Sequence, residues 1–377
     1  LKALLKREPV FASAFYESVA RLASVRMRRL TDSAMTGSLL ANDADSGASM
    51  ERARAEAERA ATTVKAALLR CETLLRENPG DVSAEGALRD VLFDLQERLD
   101  ALMAAWPGPA ERDRVSEVLK RELHPYLVRS TLADRCIRRP QGGTATPEIL
   151  SHVLVSRASG EGRLGEIVDR WLLERPTLVA IRSIVQALPE TVGHHLVQHR
   201  NRRILVLNAG TGSVVARLSA LTDRAPTHIT VVDPSRDALS LLDTDVAPVP
   251  PNVTVEAVQH DLAELAVHRL RHTFAPADVV VVHGLIEYLP DRLVVSLLRT
   301  CRTFCNREGH IVTATLSDSA DRHLLDRLLR WPTLRRPPET LRRLHEAAGL
   351  HGFVQHETTA PAVLMSARAV ARGDGSR

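Results

Sequence analysis

Val206-Leu207-Asn208-Ala209-Gly210-Thr211-Gly212 closes an apolar run that reads as a β-strand and then breaks into small residues. Gly adopts positive φ freely, and Asn tolerates it better than most side chains. A loop of this kind lets a ligand come close to the backbone, with the N-terminus of the next helix beside it. Alone the signal is weak. Its weight comes from the strands and polar residues that succeed it along the chain.

From residue 203 onward the pattern alternates between strand and helix. The strand candidates are Arg203–Leu207, His228–Val232, Val253–Val258, Asp278–Val282, His310–Thr315, Gly352–Glu357 and Ala362–Ala367. The first five are largely apolar, as strands covered on both faces are. The expected architecture is α/β, a Rossmann-like doubly wound seven-stranded sheet preceded by an α-helical region. The short gap Thr358-Thr359-Ala360-Pro361 predicts that the last two strands pair antiparallel.

Three polar residues fall at the carboxyl ends of these strands, where ligands bind in open α/β sheets. Asp233 ends the second strand, 23 residues past Gly210. A carboxylate there can accept hydrogen bonds from both hydroxyls of a ribose, for which the usual gap is about 20 residues. It can equally serve as a turn residue near Ser235. Asp261, after the third strand, can meet an adenine amino group or cap the helix from Leu262 onward, and the two roles can coexist. His283 ends Asp278-Val279-Val280-Val281-Val282-His283 and can contact a cofactor, act as a base or be structural. Glu287 and Tyr288 either sit on the lip of a substrate pocket or merely start a helix and fill the core.

The chain of 377 residues is long enough for two domains, each with its own core. A net charge of +4 is small for this length, and no basic stretch is interleaved with aromatics, so nucleic acid is not an expected partner. Apart from Lys2, Lys6, Lys65 and Lys120 the basic residues are Arg, which with abundant Ala points to a GC-rich bacterial genome. Cys71, Cys136, Cys301 and Cys305 do not form a disulfide framework, and Cys301 with Cys305 reads as the apolar face of one helix. His194, His195 and His199 include an i, i+4 pair, but zinc needs more ligands, so no metal is expected. Arg335, Arg336, Arg342 and Arg343 flank Pro337-Pro338. They read as a solvated surface, with the alternative that one of them faces an acidic substrate. No run reaches the roughly 18 apolar residues of a membrane span. No secretory leader is recognisable, and a cytoplasmic location is expected. The start at Leu1, already helical in pattern, suggests a fragment of a longer protein.

The N-terminal half reads as helices. One stripe runs Phe11, Phe15, Val19, Leu22 and Leu30. A polar loop is expected from Thr36 to Gly47. A long helix comes next, with Ala57, Ala60, Val64, Leu68, Cys71 and Leu75 on one face, stopped at Asn78-Pro79-Gly80. A third carries Leu88 to Leu102 and ends at Trp106-Pro107-Gly108-Pro109, and a fourth carries Val115 to Leu123. The expected product is an antiparallel bundle, or else padding for the next domain. The predicted organisation is a helical region over 1–135, a linker with helices over 136–200, and an α/β domain over 201–370. Any homo-oligomer would form through the helical region.

The segment from Arg203 to Ala367 resembles class I S-adenosylmethionine-dependent methyltransferases, on the glycine loop, the acidic end of the second strand and the terminal strand pair. It is more closely similar to bacterial methyltransferases of extracellular-factor 3-hydroxypalmitic acid methyl ester biosynthesis. That likeness rests on Glu122–Ser130, on Gly284-Leu285-Ile286-Glu287-Tyr288-Leu289-Pro290-Asp291-Arg292, on Leu325–Trp331 and on Arg336–Leu341. Glu8 to Leu30 resembles the closing helices of a cyclic nucleotide-binding domain. The resemblance implies S-adenosylmethionine as cofactor, held by Asn208, Ala209, Gly210, Gly212, Asp233, Asp261, Leu262 and His283. It implies His283, Glu287 and Tyr288 as catalytic residues, and a small or lipid-like acceptor such as a fatty-acid carboxylate. Val206 stands where the family has an acid, and Asn208 where it has the first glycine. The alternative is therefore a catalytically degenerate member acting as a signalling or scaffold protein.

Overall fold

The computed structural model describes residues 43–138, 146–221, 225–246, 249–267 and 274–369. The stripe and the cyclic-nucleotide likeness before Leu30 and the loop 139–144 lie outside the described residues. Two compact units divide the chain. One takes the described residues up to Lys65 together with Arg98–Leu123, and the other takes Ala66–Glu97 with the residues from His124 on.

The helical elements are α1 (Asp43–Glu77), α2 (Val82–Ala105) and α3 (Pro109–Leu127). In the first unit Ala53, Ala57, Ala61 and Val64 form a buried stripe at helical spacing, with Leu99, Met103, Val115 and Leu119 also buried. Ser49 Oγ donates to Glu111 Oε1 at 3.1 Å, Trp106 Nε1 to Glu56 Oε2 at 2.9 Å, and Lys65 Nζ to Glu122 Oε2 at 2.7 Å. The polar loop expected up to Gly47 is helical from Asp43 on, where α1 begins. The breakers at Asn78-Pro79-Gly80 and Trp106-Pro107-Gly108 fall between α1, α2 and α3, as expected.

In the second unit, α4 (Thr131–Arg138), α5 (Pro147–Val155), α6 (Gly162–Leu173) and α7 (Pro176–Leu196) lead into the sheet. Asp169 is fully buried and organises this approach. It accepts from Ser130 Oγ at 2.6 Å, the Leu132 amide at 2.8 Å and the Ser159 amide at 3.0 Å, and lies 2.7 Å from His152 Nε2. These bonds pin α5 against the start of α4.

The strands are β1 (Arg202–Leu207), β2 (Thr227–Asp233), β3 (Val253–Gln259), β4 (Ala277–Val282), β5 (Cys305–Leu316), β6 (His351–His356) and β7 (Ala362–Arg368). Their order is β3-β2-β1-β4-β5-β7-β6. The first five run parallel, and β7 pairs antiparallel with both β5 and β6. This is the doubly wound seven-stranded sheet with an antiparallel last strand that the sequence predicts. The last two strands form the expected antiparallel hairpin at the edge of the sheet, entered in reverse order, with β7 beside β5 and β6 outermost.

Alternation along each strand builds two cores. Ile204, Val206, Val231, Val279 and Val281 pack with α7 on one face. Leu205, Leu207, Val232, Val280 and Val282 pack on the other with α10 (Leu262–Ala266), α11 (Asp291–Thr303) and α12 (Pro338–Ala347). All four valines of β4 from 279 to 282 are fully buried, each contributing about 2 kcal/mol over exposure. β3 departs from the expectation of a strand covered on both faces. As an edge strand it buries only Val253. Cys305 also departs: α11 stops at Thr303, so Cys301 is a helical core residue while Cys305 opens β5.

Candidate functional site

At the carboxyl ends of β1, β2 and β4 the chain forms a cleft of ≈ 420 Å³. β1 delivers the glycine loop, which leads into α8 (Ser213–Leu221). Asn208, Gly210 and Gly212 have φ of 79°, 57° and 76°, the left-handed region the sequence predicts. At Gly210 a Cβ would meet only Leu150 Cδ1 at 4.0 Å, so the glycine serves backbone conformation rather than space. Asn208 Nδ2 donates to the carbonyls of His283 at 3.1 Å and Gly284 at 3.2 Å, which fastens the β1 loop to the β4 loop.

β2 delivers Asp233, almost fully buried. Its Oδ2 accepts from the Ala209 amide at 2.8 Å and its Oδ1 from the Ser235 amide at 2.7 Å. Burial pushes its pKa above the ordinary carboxylate value, against the pull of the Ser235, Ala209 and Gly210 amides. Ser235 in turn caps α9 (Arg236–Asp245) by accepting from the Ala238 amide. Asp233 is thus a turn-forming carboxylate that also lines the cleft, so both of its expected roles are geometrically open.

β4 delivers His283, whose Nε2 is buried without a hydrogen-bond partner. Burial pushes its pKa down to about 4, so the ring is neutral at pH 7. One turn on, Glu287 is buried with Oε2 unpartnered. Burial pushes its pKa up to about 7, although Arg336 and Arg335 pull it down. Arg336 clamps the turn that carries Glu287. It bonds Asp291 Oδ1 at 2.9 Å, the Ile286 carbonyl at 2.6 Å and the Leu289 carbonyl at 2.5 Å. Tyr288 OH accepts from Trp331 Nε1 at 3.0 Å.

Asn208, Ala209, Gly210, Asp233, His283, Glu287 and Tyr288 therefore meet in one cleft. Gly212 does not line it. The Gly212 amide donates to the Ala209 carbonyl at 2.9 Å and closes the loop. Asp261 is exposed and caps α10 by accepting from the Ala263 amide at 2.8 Å, and Leu262 is a core residue. Neither lines the cleft. Of the histidines at the end of α7, His195 stacks on His310 at 4.0 Å and His199 Nδ1 lies 3.1 Å from Asp278 Oδ1. Among the described residues no three His, Cys, Asp or Glu side chains could hold a metal ion. None of the described helices is long and apolar enough to cross a membrane.

The rest of the lining, a second wall, was not legible as a site. Leu150 and Leu154 come from α5, and Thr177, Ile181 and Val185 from α7. Trp331, Thr333 and Arg335 come from the segment after a π-helix at Leu324–Leu328, with Arg330 at φ 56°. Of the four clustered arginines, only Arg335 lines the cleft. Arg342 and Arg343 are exposed, as the surface reading expects, whereas Arg336 is buried and Arg335 half-buried, against it.

No protein-family profile and no curated protein matches the chain. Among solved structures, a possible exported protein from Bordetella parapertussis is similar over 88% of this chain and 100% of its own, with 16% identity and a TM-score of 0.50. The carbon methyltransferase CurJ is similar over 92% of this chain and 99% of its own, with 12% identity and a TM-score of 0.44. Magnesium protoporphyrin IX methyltransferase from Synechocystis PCC 6803 is similar over 51% of this chain and 86% of its own, with 12% identity and a TM-score of 0.39. The first of these likenesses speaks to the fold, which this chain shares with a solved protein over most of its length.

Proposed function

We propose that the cleft binds S-adenosylmethionine and transfers its methyl group to a small or lipid-like acid, with a fatty-acid carboxylate as the acceptor that suits it best. The observation that carries this reading is one cleft with two dissimilar walls. One wall is the glycine loop and buried Asp233; the other is apolar and holds unpartnered polar groups of its own. The residues fit an adenosyl group. The loop is already in its left-handed conformation, Asp233 lines the cleft, and Pro234 and Ala238 add an apolar surface beside it. Asn208, Ala209, Gly210 and Asp233 would hold the cofactor, and Asp261 and Leu262, outside the cleft, would not. The bound cofactor supplies an electrophilic methyl on a sulfonium.

The chain's task is then alignment. An ionised carboxylate attacks without giving up a proton, so no general base is needed. Glu287, protonated up to about pH 7, offers a donor rather than a second negative charge. For a hydroxyl acceptor the ionised form of Glu287 would serve as base. His283, neutral with a free Nε2, provides a further polar contact. Two departures favour the second reading, a degenerate scaffold: Val206 is fully buried in the core, and the Asn208 side chain bridges the loops beside the cleft. Calorimetric titration with S-adenosylmethionine separates the two. Saturable binding supports transfer, and no heat at millimolar ligand leaves the scaffold.

A further inference from the structure

Three side chains on the acceptor side of the cleft have hydrogen-bonding capacity that the fold does not use. Arg335 Nε and Nη2, Thr333 Oγ1 and Glu287 Oε2 all lack a partner, and all three residues line the cleft. The fold nevertheless holds Arg335 in place. Its Nη1 donates to Thr177 Oγ1 at 3.0 Å. Thr177 Oγ1 donates to Asp321 Oδ1 at 2.8 Å, and the Thr177 amide to Asp321 Oδ2 at 2.9 Å. Ser319 Oγ adds a bond to Asp321 Oδ1 at 2.6 Å, and Asp321 is fully buried. One corner of the guanidinium is thus pinned to the start of α7. The edge without partners, Nε with Nη2, is buried, and it is the side of the fork that takes two oxygens of one carboxylate.

We propose that this free edge of Arg335 receives the carboxylate of the acceptor, with Thr177 as its positioning residue, so that the cleft selects singly charged apolar acids over their neutral esters. The inference rests on the methyl-transfer reading for its sense, but turns on Arg335 and Thr177, which that reading does not use. Charge decides for a single negative charge. Asp326, Asp321 and Asp318 already act on Arg335, offset in part by Arg322, so a doubly charged phosphate would meet a field partly cancelled in advance. Burial weakens the hydration of the guanidinium, which makes an anionic partner the more valuable. Leu150, Leu154, Ile181, Ile184, Val185 and Leu325 offer the tail an apolar wall. On transfer a carboxylate oxygen forms the new bond to the methyl carbon as the carbon–sulfur bond breaks. A carboxylate and a sulfonium become a neutral ester and a neutral thioether, with no proton exchanged. Arg335 then loses its anionic partner, and the product loses its anchor.

The test is calorimetry on the full chain with decanoate and with methyl decanoate, both below their aggregation limits. Wild type should bind decanoate at least about tenfold more tightly than the ester. Arg335→Gln should bring decanoate down to the level of the ester, with unchanged thermal unfolding showing that it is folded. Thr177→Val should weaken decanoate less and leave ester binding alone, which a merely structural residue would not do selectively. Equal binding of acid and ester by wild type, no binding of decanoate, or full-strength decanoate binding by folded Arg335→Gln overturns the proposal. The acid–ester comparison needs no variant. A wild type that binds decanoate through Arg335 but takes up no S-adenosylmethionine would overturn methyl transfer and leave the carboxylate site standing.

Discussion

On the glycine-loop side of the cleft, Asp233 already accepts from Ala209 and Ser235, and the Asn208 side-chain amide already donates to two carbonyls. Elsewhere in the cleft Arg335 and Thr333 keep donors and acceptors without partners, as do His283 Nε2 and Glu287 Oε2 after β4. The first wall is shaped by its own hydrogen bonds and can hold its form alone. The second is held at its back, through Thr177 and Asp321, and left unsatisfied at its front. Buried polar groups without partners are costly, and a ligand that supplied partners here would gain accordingly.

Breaking the first wall should have the largest effect. Asp233→Ala removes the acceptor for the Ala209 and Ser235 amides and the carboxylate proposed to meet the adenosyl group. Binding of S-adenosylmethionine should fall on the order of 100-fold, and stability by about 1–3 kcal/mol. Unchanged affinity in a titration would reduce Asp233 to a turn residue.

Glu287→Gln probes the turn after β4 through pH. The folded chain keeps the Glu287 proton up to about pH 7, while the unfolded chain releases it near its ordinary value of 4.5. The stability this group gives is full below pH 4.5 and is lost as pH rises through 7. The Gln variant should match wild type at pH 4.5 and exceed it at pH 8 by on the order of 3 kcal/mol in urea unfolding. His283, His195 and His345, each pushed down to about 4 by burial, run the other way. Their contribution is full above pH 6.5 and lost as pH falls through 4. Parallel pH profiles for variant and wild type would show Glu287 to be ionised throughout.

Gly284→Ala attacks the seam where the two loops meet. At φ 59° its new Cβ would stand 2.8 Å from Asn208 Nδ2, so the cost should be about 1–3 kcal/mol in thermal unfolding. Adding Asn208→Gly should recover part of it, and no recovery would mean that backbone strain alone was felt. The smallest effect belongs to Tyr288→Phe. It strips Trp331 Nε1 of its partner, costing about 1 kcal/mol and shifting the tryptophan emission. An unmoved spectrum would show that the bond is not formed in solution.

The two walls also differ in how far they could be read from sequence. The first is local: a glycine loop, a carboxylate at a strand end and a valine run lie close to one another along the chain and emerge from period and spacing. The second draws on α5, α7 and the stretch around Arg335, far apart in sequence, with nothing periodic to link them. Arg335 carries no mark that separates it from Arg342 or Arg343; only the path of the chain after the π-helix turns it inward. Asp261 stands at the expected strand end and caps α10, one of the two roles its position allows. The strands were legible from their apolar runs, but the place of β7 was not, because slotting between β5 and β6 depends on contacts distant in the chain.

That strand order has a consequence for how the protein is made. β5 leaves the ribosome before β6 and β7, yet its outer edge from His310 to Leu316 is covered only by β7, the last of the three. Until Ala362–Arg368 arrives, a long run including Ile311, Val312 and Thr313 offers unpaired backbone to any other chain nearby. The nascent protein therefore passes through an interval in which its sheet is largely assembled but still adhesive. Slow translation or loss of β7 should show itself as aggregation before it shows itself as lost activity.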